Sequence, residues 1–514
     1  MGGLFGVVTA NDCKTDLFFG IDYHSHLGTT MGGLAVLSDR IAEPTYHPLT
    51  NSQFKTEFKD DFNEIDGNIG IGVISSRKDD KQPLIFKSTL GNFALCTDGL
   101  IKNADALVTE LVEDGITFNE CSGSVNQTEV VGSLICGGES ITTGIFEMLK
   151  KIAGTLSLLL LSEEERCIYS CSGVFPLVIG RKSTAQGEAW AIASETTAFP
   201  NLGYEVYSFP RYRDVVSIEE SGVRLRKQSS VPIVFCPFLH VYFDFPASSH
   251  YGTSGETVRE RCGGYLAEDD DVEATLVMGV ADSGIPHAHG YAKKRAENAI
   301  TEMVNTLNQF EQGKLDDRGL RARLVKRMKA IVPVRRPVVK YTAGWGRSYI
   351  PPHQSTRDVI AYYKQVANPE MIAGQSIILV DDSIRRGTQL RRFIKEKLWR
   401  YQPLAVHARV ASPPQLFACY FDDTTKDSDL IARKAVERIE GGVPANLHEY
   451  LDASSEKYRM MVDIINESIG ATSLRYIPLS DMVSAVVESP ENQCLNAGNI
   501  CTYCWTGKPP VVGG

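Results

Sequence analysis

The chain reads as two differently built domains, a strand-rich α+β half followed by an α/β half with a parallel sheet. Three observations predict this. Residues 1 to about 230 alternate short β-type runs with turns and carry few helical segments. From about Val231 onward, strands alternate with helices, the pattern of a parallel sheet covered on its faces. Within that second half, Ser376 to Leu390 joins an apolar run, two carboxylates, a Ser/Gly/Thr turn and a helical pattern.

In the first half the β-type runs are 4–9, 32–37, 70–75, 91–95, 156–161, 167–170 and 189–193, with helices expected at 104–112 and 145–152. In the second half, 274–280 is a strand that ends in Ala281-Asp282-Ser283-Gly284-Ile285-Pro286 and feeds a helix from Ala288. A charged, helix-rich stretch follows at 293–328, with periodic Ile300, Met303, Leu307 and Phe310. A further strand is expected just after Cys236, and another at 406–411, where His407 reads as a packed strand histidine.

At 514 residues the chain exceeds one typical core and divides into two or three domains. Hydrophobic residues make up 43% and charged residues 23%, the balance of a soluble globular protein. A formal net charge of −10 argues against a nucleic-acid binder, because phosphate contacts need a basic face. Arginines nevertheless gather around the second-half turns: Arg335, Arg336, Arg347, Arg385, Arg386, Arg391 and Arg392. A local cationic site in an acidic protein suits a small polyanion. The longest apolar run, 156–161, is far short of a membrane span, and no signal-peptide pattern opens the sequence. A cytoplasmic protein is expected, with no membrane partner. Twelve cysteines then suggest buried thiols or a metal site before disulfides.

The Ser376–Leu390 run is a phosphate cradle in outline. Free N–H groups of the turn and the start of the helix at Leu390, Phe393, Ile394 and Leu398 would face an anion. Asp381 and Asp382 at the strand end are acceptors for ribose hydroxyls or Mg²⁺. Cys501 and Cys504 form a C-x₂-C pair in a turn-rich tail, open to zinc, iron–sulfur and redox readings.

The cradle sequence resembles the phosphoribosyl-pyrophosphate (PRPP) loop of type I phosphoribosyltransferases. Gly3-Leu4-Phe5-Gly6, His26-Leu27-Gly28, Gly67-Asn68-Ile69-Gly70-Ile71-Gly72, 98–104, Thr128-Glu129-Val130, 176–181 and Ala193-Ser194-Glu195 resemble the glutamine-amidotransferase domain of the N-terminal-nucleophile type. Together the chain resembles the amidophosphoribosyltransferase family. The resemblance implies an α+β N-terminal-nucleophile-type (αββα sandwich) domain over 1–230, an α/β type I phosphoribosyltransferase domain over 231–490, and a cysteine-containing tail over 491–514.

It also implies site residues. Asp381 and Asp382 would take the ribose hydroxyls and, with Ser283, position Mg²⁺. Ser383, Ile384, Arg385, Arg386, Gly387 and Thr388 would hold the 5-phosphate. Asp282, Ser283 and Gly284 would hold pyrophosphate together with Arg347, in a closing loop that includes Gln354 and Arg357. Cys236, Cys419, Cys501 and Cys504 match the four ligands of a [4Fe–4S] cluster in one branch of the family. Ala281 stands where the family has proline, and Arg385 where it has an apolar residue.

The glutamine pocket departs from the family. Gly2 replaces the nucleophilic cysteine, Ser75 the arginine that clamps the glutamine α-carboxylate, Asp98 the oxyanion-donor asparagine and Gln127 the aspartate that holds the α-amine. Loss of one oxyanion donor costs roughly 10²–10³ in rate. The expectation is therefore an enzyme that joins PRPP to ammonia without hydrolysing glutamine, in a homo-oligomer, with ammonia from solution or from a separate ammonia-supplying enzyme. The rival reading is a PRPP- or nucleotide-sensing pseudoenzyme. A glutaminase with a replaced nucleophile ranks last, since no other thiol carries an adjacent terminal amine.

Overall fold

The computed structural model describes residues 2–49, 52–77, 80–121, 123–341, 363, 365–442, 446–490, 492 and 494–510. The first half is a four-layer αββα sandwich. One sheet has seven strands and the other six. In the first sheet, Gly3–Val8 lies centrally between Ile69–Ser75 and Gly187–Ala193, antiparallel to both. In the second, Gly154–Ser162 lies between Gly91–Ile101 and Cys167–Cys171.

The two sheets bury their facing side chains in one layer. Leu4, Val8, Ile69, Ile71 and Val73 from one meet Ala94, Leu159, Leu161, Ile168 and Ile218 from the other. Strands covered on both faces read as continuous apolar runs rather than as alternation, which is why 156–161 looked so apolar. Outside the first sheet, helix Lys14–Asp22 packs Leu17, Phe18 and Ile21 on Phe5 and Val7. Outside the second, Ala104–Glu113, Gln127–Cys136 and Ile141–Lys151 cover Phe93, Leu95, Leu158 and Leu160.

The second half is built on a parallel sheet in the order Leu276–Gly279, Ser376–Asp381, Ala405–Val410, Ser473–Tyr476. Its period-two alternation sends Ile377 and Leu379 to one core and Ile378 and Val380 to the other. Helices Ile431–Glu440 and Glu456–Ile469 cover the first face, and Gly255–Ala267, Gly284–Glu311 and Leu479–Val487 the second. His407 lies in its strand with Nδ1 2.9 Å from Ser473 Oγ.

Two expectations need correction. The strand expected after Cys236 is a wide helical turn, Leu239–Phe243, in which Asp244 N–H reaches back to the Leu239 carbonyl. Side chains stabilise that winding: His240 Nδ1 pairs with Asp244 at 2.8 Å, and Arg259 donates to the carbonyls of His240 and Asp244, both at 2.8 Å. The periodic positions of 293–328 do not enter the core. Gly284–Glu311 and Asp317–Ala330 form a helical hairpin that leaves Ile300, Leu307, Val325 and Met328 exposed. Beyond Arg295, the buried residues of the long helix are Ala299 and Thr306.

Candidate functional site

The strand Ser376–Asp381 delivers Asp381 and Asp382 to the carboxyl end of the parallel sheet, the edge where open α/β sheets take ligands. Asp382 is buried and accepts hydrogen bonds from Ser283 Oγ at 2.5 Å and Ser383 Oγ at 2.7 Å. Its own N–H donates to Asp381 Oδ1 at 3.0 Å. The Ser283 bond joins the two turns that the sequence singled out separately. Burial raises the Asp381 carboxyl well above the usual range, and the neighbouring Asp382 charge adds to it. Burial also raises Asp382, against the pull of Ser283 and Ser383. Two crowded carboxylates in a dry corner favour a cation or a hydroxyl donor as third partner.

Gly284 opens the long helix directly beneath this corner, and a Cβ there would lie 2.6 Å from the Val380 carbonyl. The Ala281–Asp282 peptide is cis, and Asp282 is paired with Lys340. Gly387 has φ +74°, a backbone conformation that favours glycine, and a Cβ there would meet the terminal Cδ1 of Ile431 at 2.4 Å. Thr388 begins helix Thr388–Arg392, which continues as a wider turn over Phe393–Leu398. Its predicted face, Leu390, Phe393, Ile394 and Leu398, is buried.

Three residues of the turn behave differently from one another. Ile384 is buried in the core, so only its backbone is available to a ligand. Arg385 pairs with Asp422 at 3.3 Å, and Arg386 with Asp429 at 3.0 Å and the Thr424 carbonyl at 3.1 Å. These guanidiniums tie the turn to the 422–429 loop, which accounts for the unusual Arg385. Arg347, Gln354 and Arg357 lie outside the described residues.

The glutamine-pocket positions also converge. Ser75, Arg77, Asp80, Gln82, Thr97, Asp98, Gly99 and Gln127 line a space of only about 10 Å³. That is at the limit of a single water. The Gly2 N–H donates to Asp98 Oδ1 at 2.7 Å, and a Cβ at Gly2 would lie 2.4 Å from the Ile74 carbonyl. Ser75 Oγ donates to Asp80 at 2.6 Å, and Gln82 Nε2 to the same carboxylate at 2.9 Å. Burial raises Asp98 despite the opposing Arg77 charge.

Sequence reasoning missed Arg77. Ser75 is not an arginine, yet Arg77 two residues later sends a guanidinium into the same space, bonded to Gln127 Oε1 at 2.7 Å and to the Gly99 carbonyl. Only its side-chain reach, not its register, could have signalled this. Cys13 is no substitute nucleophile: it is buried in the core, and burial raises its thiol to about 12.

The four cysteines gather where the two halves meet. Cys236 and Cys419 pack with Cys501 beside Val174 and Tyr212 of the first half. The tail reaches them because Ile500 bridges Phe235, with Phe235 N–H to the Asn499 carbonyl and Cys501 N–H to the Phe235 carbonyl, both at 2.8 Å. A hydrogen bond with Cys504 lowers Cys419 and raises Cys504, while burial and neighbouring thiols raise Cys236, and burial raises Cys501 to about 11. Among the described residues no group of three or more His, Cys, Asp or Glu side chains is arranged to hold a single metal ion. Cys236, Cys419, Cys501 and Cys504 are free thiols.

With this geometry in view, comparison with known proteins is informative. A model of a glutamine amidotransferase domain matches residues 71–201. The amidophosphoribosyltransferase of Bacillus subtilis is 25% identical over 99% of this chain and 94% of its own. That of Mycobacterium bovis is 29% identical over 84% of this chain and 70% of its own. A solved structure of the allosteric regulatory enzyme of purine biosynthesis superposes with a TM-score of 0.75 at 24% identity, covering 99% of this chain and 96% of that one. The chain is similar to these amidophosphoribosyltransferases and shares the fold of the solved structure. The B. subtilis glutamine PRPP amidotransferase complexed with ADP and GMP superposes equally well, with a TM-score of 0.74. Among the described residues no helix is long and apolar enough to cross a membrane.

Proposed function

We propose that this amidophosphoribosyltransferase relative binds Mg²⁺–PRPP at the Asp381–Thr388 cradle and transfers the phosphoribosyl group to ammonia, forming 5-phosphoribosylamine, the first step of purine biosynthesis. The observation that carries the reading is the Ser283–Asp382 hydrogen bond at 2.5 Å, which holds the two anion-binding turns edge to edge. Full-length similarity to amidophosphoribosyltransferases supports it.

In this reading Asp381 and Asp382 take the ribose hydroxyls, and the N–H groups from Ser383 to Thr388, with the Ser383 and Thr388 hydroxyls, take the 5-phosphate. Asp282, Ser283 and Gly284 orient the pyrophosphate, with Arg347 closing over it. Mg²⁺, held by Ser283 and the carboxylate pair together with the substrate, would offset charge on the departing pyrophosphate. The ammonia lone pair forms the C1–N bond as the C1–O bond breaks, pyrophosphate leaves with that electron pair, and a proton passes from the new ammonium to solvent. The chain's own contribution is positioning and exclusion of water.

We further propose that the first half hydrolyses no glutamine. A Cβ at position 2 would lie 2.4 Å from the Ile74 carbonyl, and Arg77 donates to Gln127 and Gly99 inside a space of about 10 Å³. Ammonia then comes from solution or from a separate supplying enzyme. Cys236, Cys419, Cys501 and Cys504 are the ligands of a structural [4Fe–4S] cluster. The boundaries 1–230, 231–490 and 491–514 delimit the parts, and the working form is a cytoplasmic homo-oligomer.

Anaerobic incubation with Mg²⁺–PRPP and ammonium should release pyrophosphate, whereas glutamine in place of ammonium should not. PRPP binding without pyrophosphate release would overturn the transferase reading. Glutamate formed from glutamine by the untagged protein would overturn the second proposal.

A further inference from the structure

A second pocket lies away from the carboxylate corner, between the segment after strand Ala405–Val410, helix Ile431–Glu440 and the C-terminal tail. It encloses about 260 Å³ and is lined by Phe417, Arg433, Leu447, His448, Trp505 and Thr506, among others. Nothing in the proposed transferase chemistry uses it.

Its wall contains an unresolved charge. Arg433 is only 9% exposed, and among the described residues its Nε and Nη1 atoms are buried without a hydrogen-bond partner. The guanidinium lies over the Phe417 ring at 5.7 Å, and Glu437 Oε1 approaches Nε only to 4.0 Å, too long for a hydrogen bond. A buried guanidinium with idle donors is costly to keep, and a planar or tetrahedral oxyanion is the partner its donors match. Phe417, Leu447 and Trp505 supply apolar walls, while exposed His448 stands at the rim. Trp505 Nε1–H is already donated to the Pro413 carbonyl at 3.0 Å, so the indole offers only its ring.

We propose that this pocket binds a small organic anion, a carboxylate or phosphate on a flat apolar body, with Arg433 as its anchor.

The site is placed to act as an effector site. Two residues before Arg433, Ile431 N–H donates to the Arg385 carbonyl at 2.9 Å, and the Ile431 side chain packs against Gly387. On its other wall, the N–H groups of Leu416 and Phe417 both donate to the Cys504 carbonyl at 3.0 Å. A ligand clamping Arg433 to Trp505 therefore bears on the helix that carries Ile431, which contacts the cradle turn, and on the cysteine-bearing tail. This consequence rests on the PRPP reading; the binding itself does not.

The test is calorimetric titration of the full chain with sodium benzoate and, separately, with inorganic phosphate. Benzoate has no phosphate to place in the cradle, so it reports on this pocket. Saturable one-to-one benzoate binding is expected, weakened at least about tenfold, the cost of an unmet charged hydrogen bond, in Arg433→Gln, and weakened less in Arg433→Lys, which keeps the charge but not the planar donor fork. His448→Trp, which fills the mouth and leaves the core untouched, should abolish it even if Arg433→Gln fails to fold. An Arg433-dependent site seen only with phosphate would assign the ligand to phosphate esters. Absence of binding by both probes, or binding that survives both Arg433→Gln and His448→Trp, overturns the proposal. If benzoate binds as described and the PRPP affinity does not change with it, the site stands and its link to the cradle falls.

Discussion

At the scale of single residues, steric room and local charge decide what each position can do. Gly2 sits where its backbone N–H meets Asp98 and where a Cβ would lie 2.4 Å from the Ile74 carbonyl and 3.1 Å from Asp98 Oδ1. Gly2→Cys should therefore leave glutamine hydrolysis undetectable and destabilise the fold by about 1–3 kcal/mol, the usual cost of overpacking, read by urea unfolding and a glutamate assay. Appreciable glutaminase activity in that variant would show that the pocket had only lost its nucleophile. His24 is buried, with Nδ1 2.7 Å from the Gly20 carbonyl and Nε2 accepting the Glu195 N–H at 3.2 Å, which assigns the proton of the neutral ring to Nδ1. Burial lowers its pKa from 6.5 to about 4. The folded state then binds fewer protons than the unfolded state between those values, so stability is lost as the pH falls from 6.5 toward 4. The loss amounts to roughly 3 kcal/mol. Relative to wild type, His24→Asn should flatten the stability curve over that window. An unchanged slope from pH 6.5 to 4 would contradict this assignment.

At the scale of elements, the cradle is a strand, a turn and a short helix held from behind. The strand end carries the carboxylates, Ser283 ties in the neighbouring turn, and Arg385 and Arg386 tie the turn forward to Asp422 and Asp429. Gly387 is the hinge of that arrangement, with its left-handed φ and Ile431 packed against it. Gly387→Ala should strain the backbone at about 1–2 kcal/mol and make the Ile431 side chain shift. Most of that strain falls where the 5-phosphate is proposed to bind, so PRPP affinity should weaken on the order of tenfold. Calorimetry against PRPP, with thermal melting as a fold control, measures both. Equal PRPP affinity in a variant of reduced melting temperature would detach this turn from the phosphate.

At the scale of the whole molecule, the halves are joined by buried polar contacts and by the cysteine cluster. Glu195 of the first half accepts from His26 and from Phe245 N–H at 3.4 Å, and Thr196 Oγ1 accepts the Ser249 N–H at 2.9 Å. Lys102 of the first half lies 3.5 Å over the Tyr420 ring, next to Cys419. A cluster on the four cysteines would therefore brace the tail and both halves at one point. Anaerobically purified protein should show broad visible iron–sulfur absorption. Cys236→Ser should abolish it and speed proteolysis within 494–510. Identical visible spectra for wild type and Cys236→Ser would exclude Cys236 as a ligand.

Two-domain construction, the strand runs at 70–75, 156–161 and 189–193, and the strand–turn–helix of the cradle were legible from residue order. Each depends on local periodicity and turn chemistry, which neighbours in sequence determine. The helix at Lys14–Asp22, the wound turn at Leu239–Phe243 and the exposed hairpin face at Ile300 and Leu307 were not. Their states depend on which distant layer is present to cover them, or on captures such as Arg259 with the His240 carbonyl. The same division holds at the sites. Sequence by itself determined which residue types stand at 2, 75, 98, 127 and 381–388, and so which chemistry was open. Only tertiary structure decided that Arg77 closes the first pocket, that Ser283 meets Asp382, and that Arg433 keeps its donors idle beside Trp505. Those outcomes turn on side-chain reach and burial between segments far apart in the chain, where local order exerts no constraint.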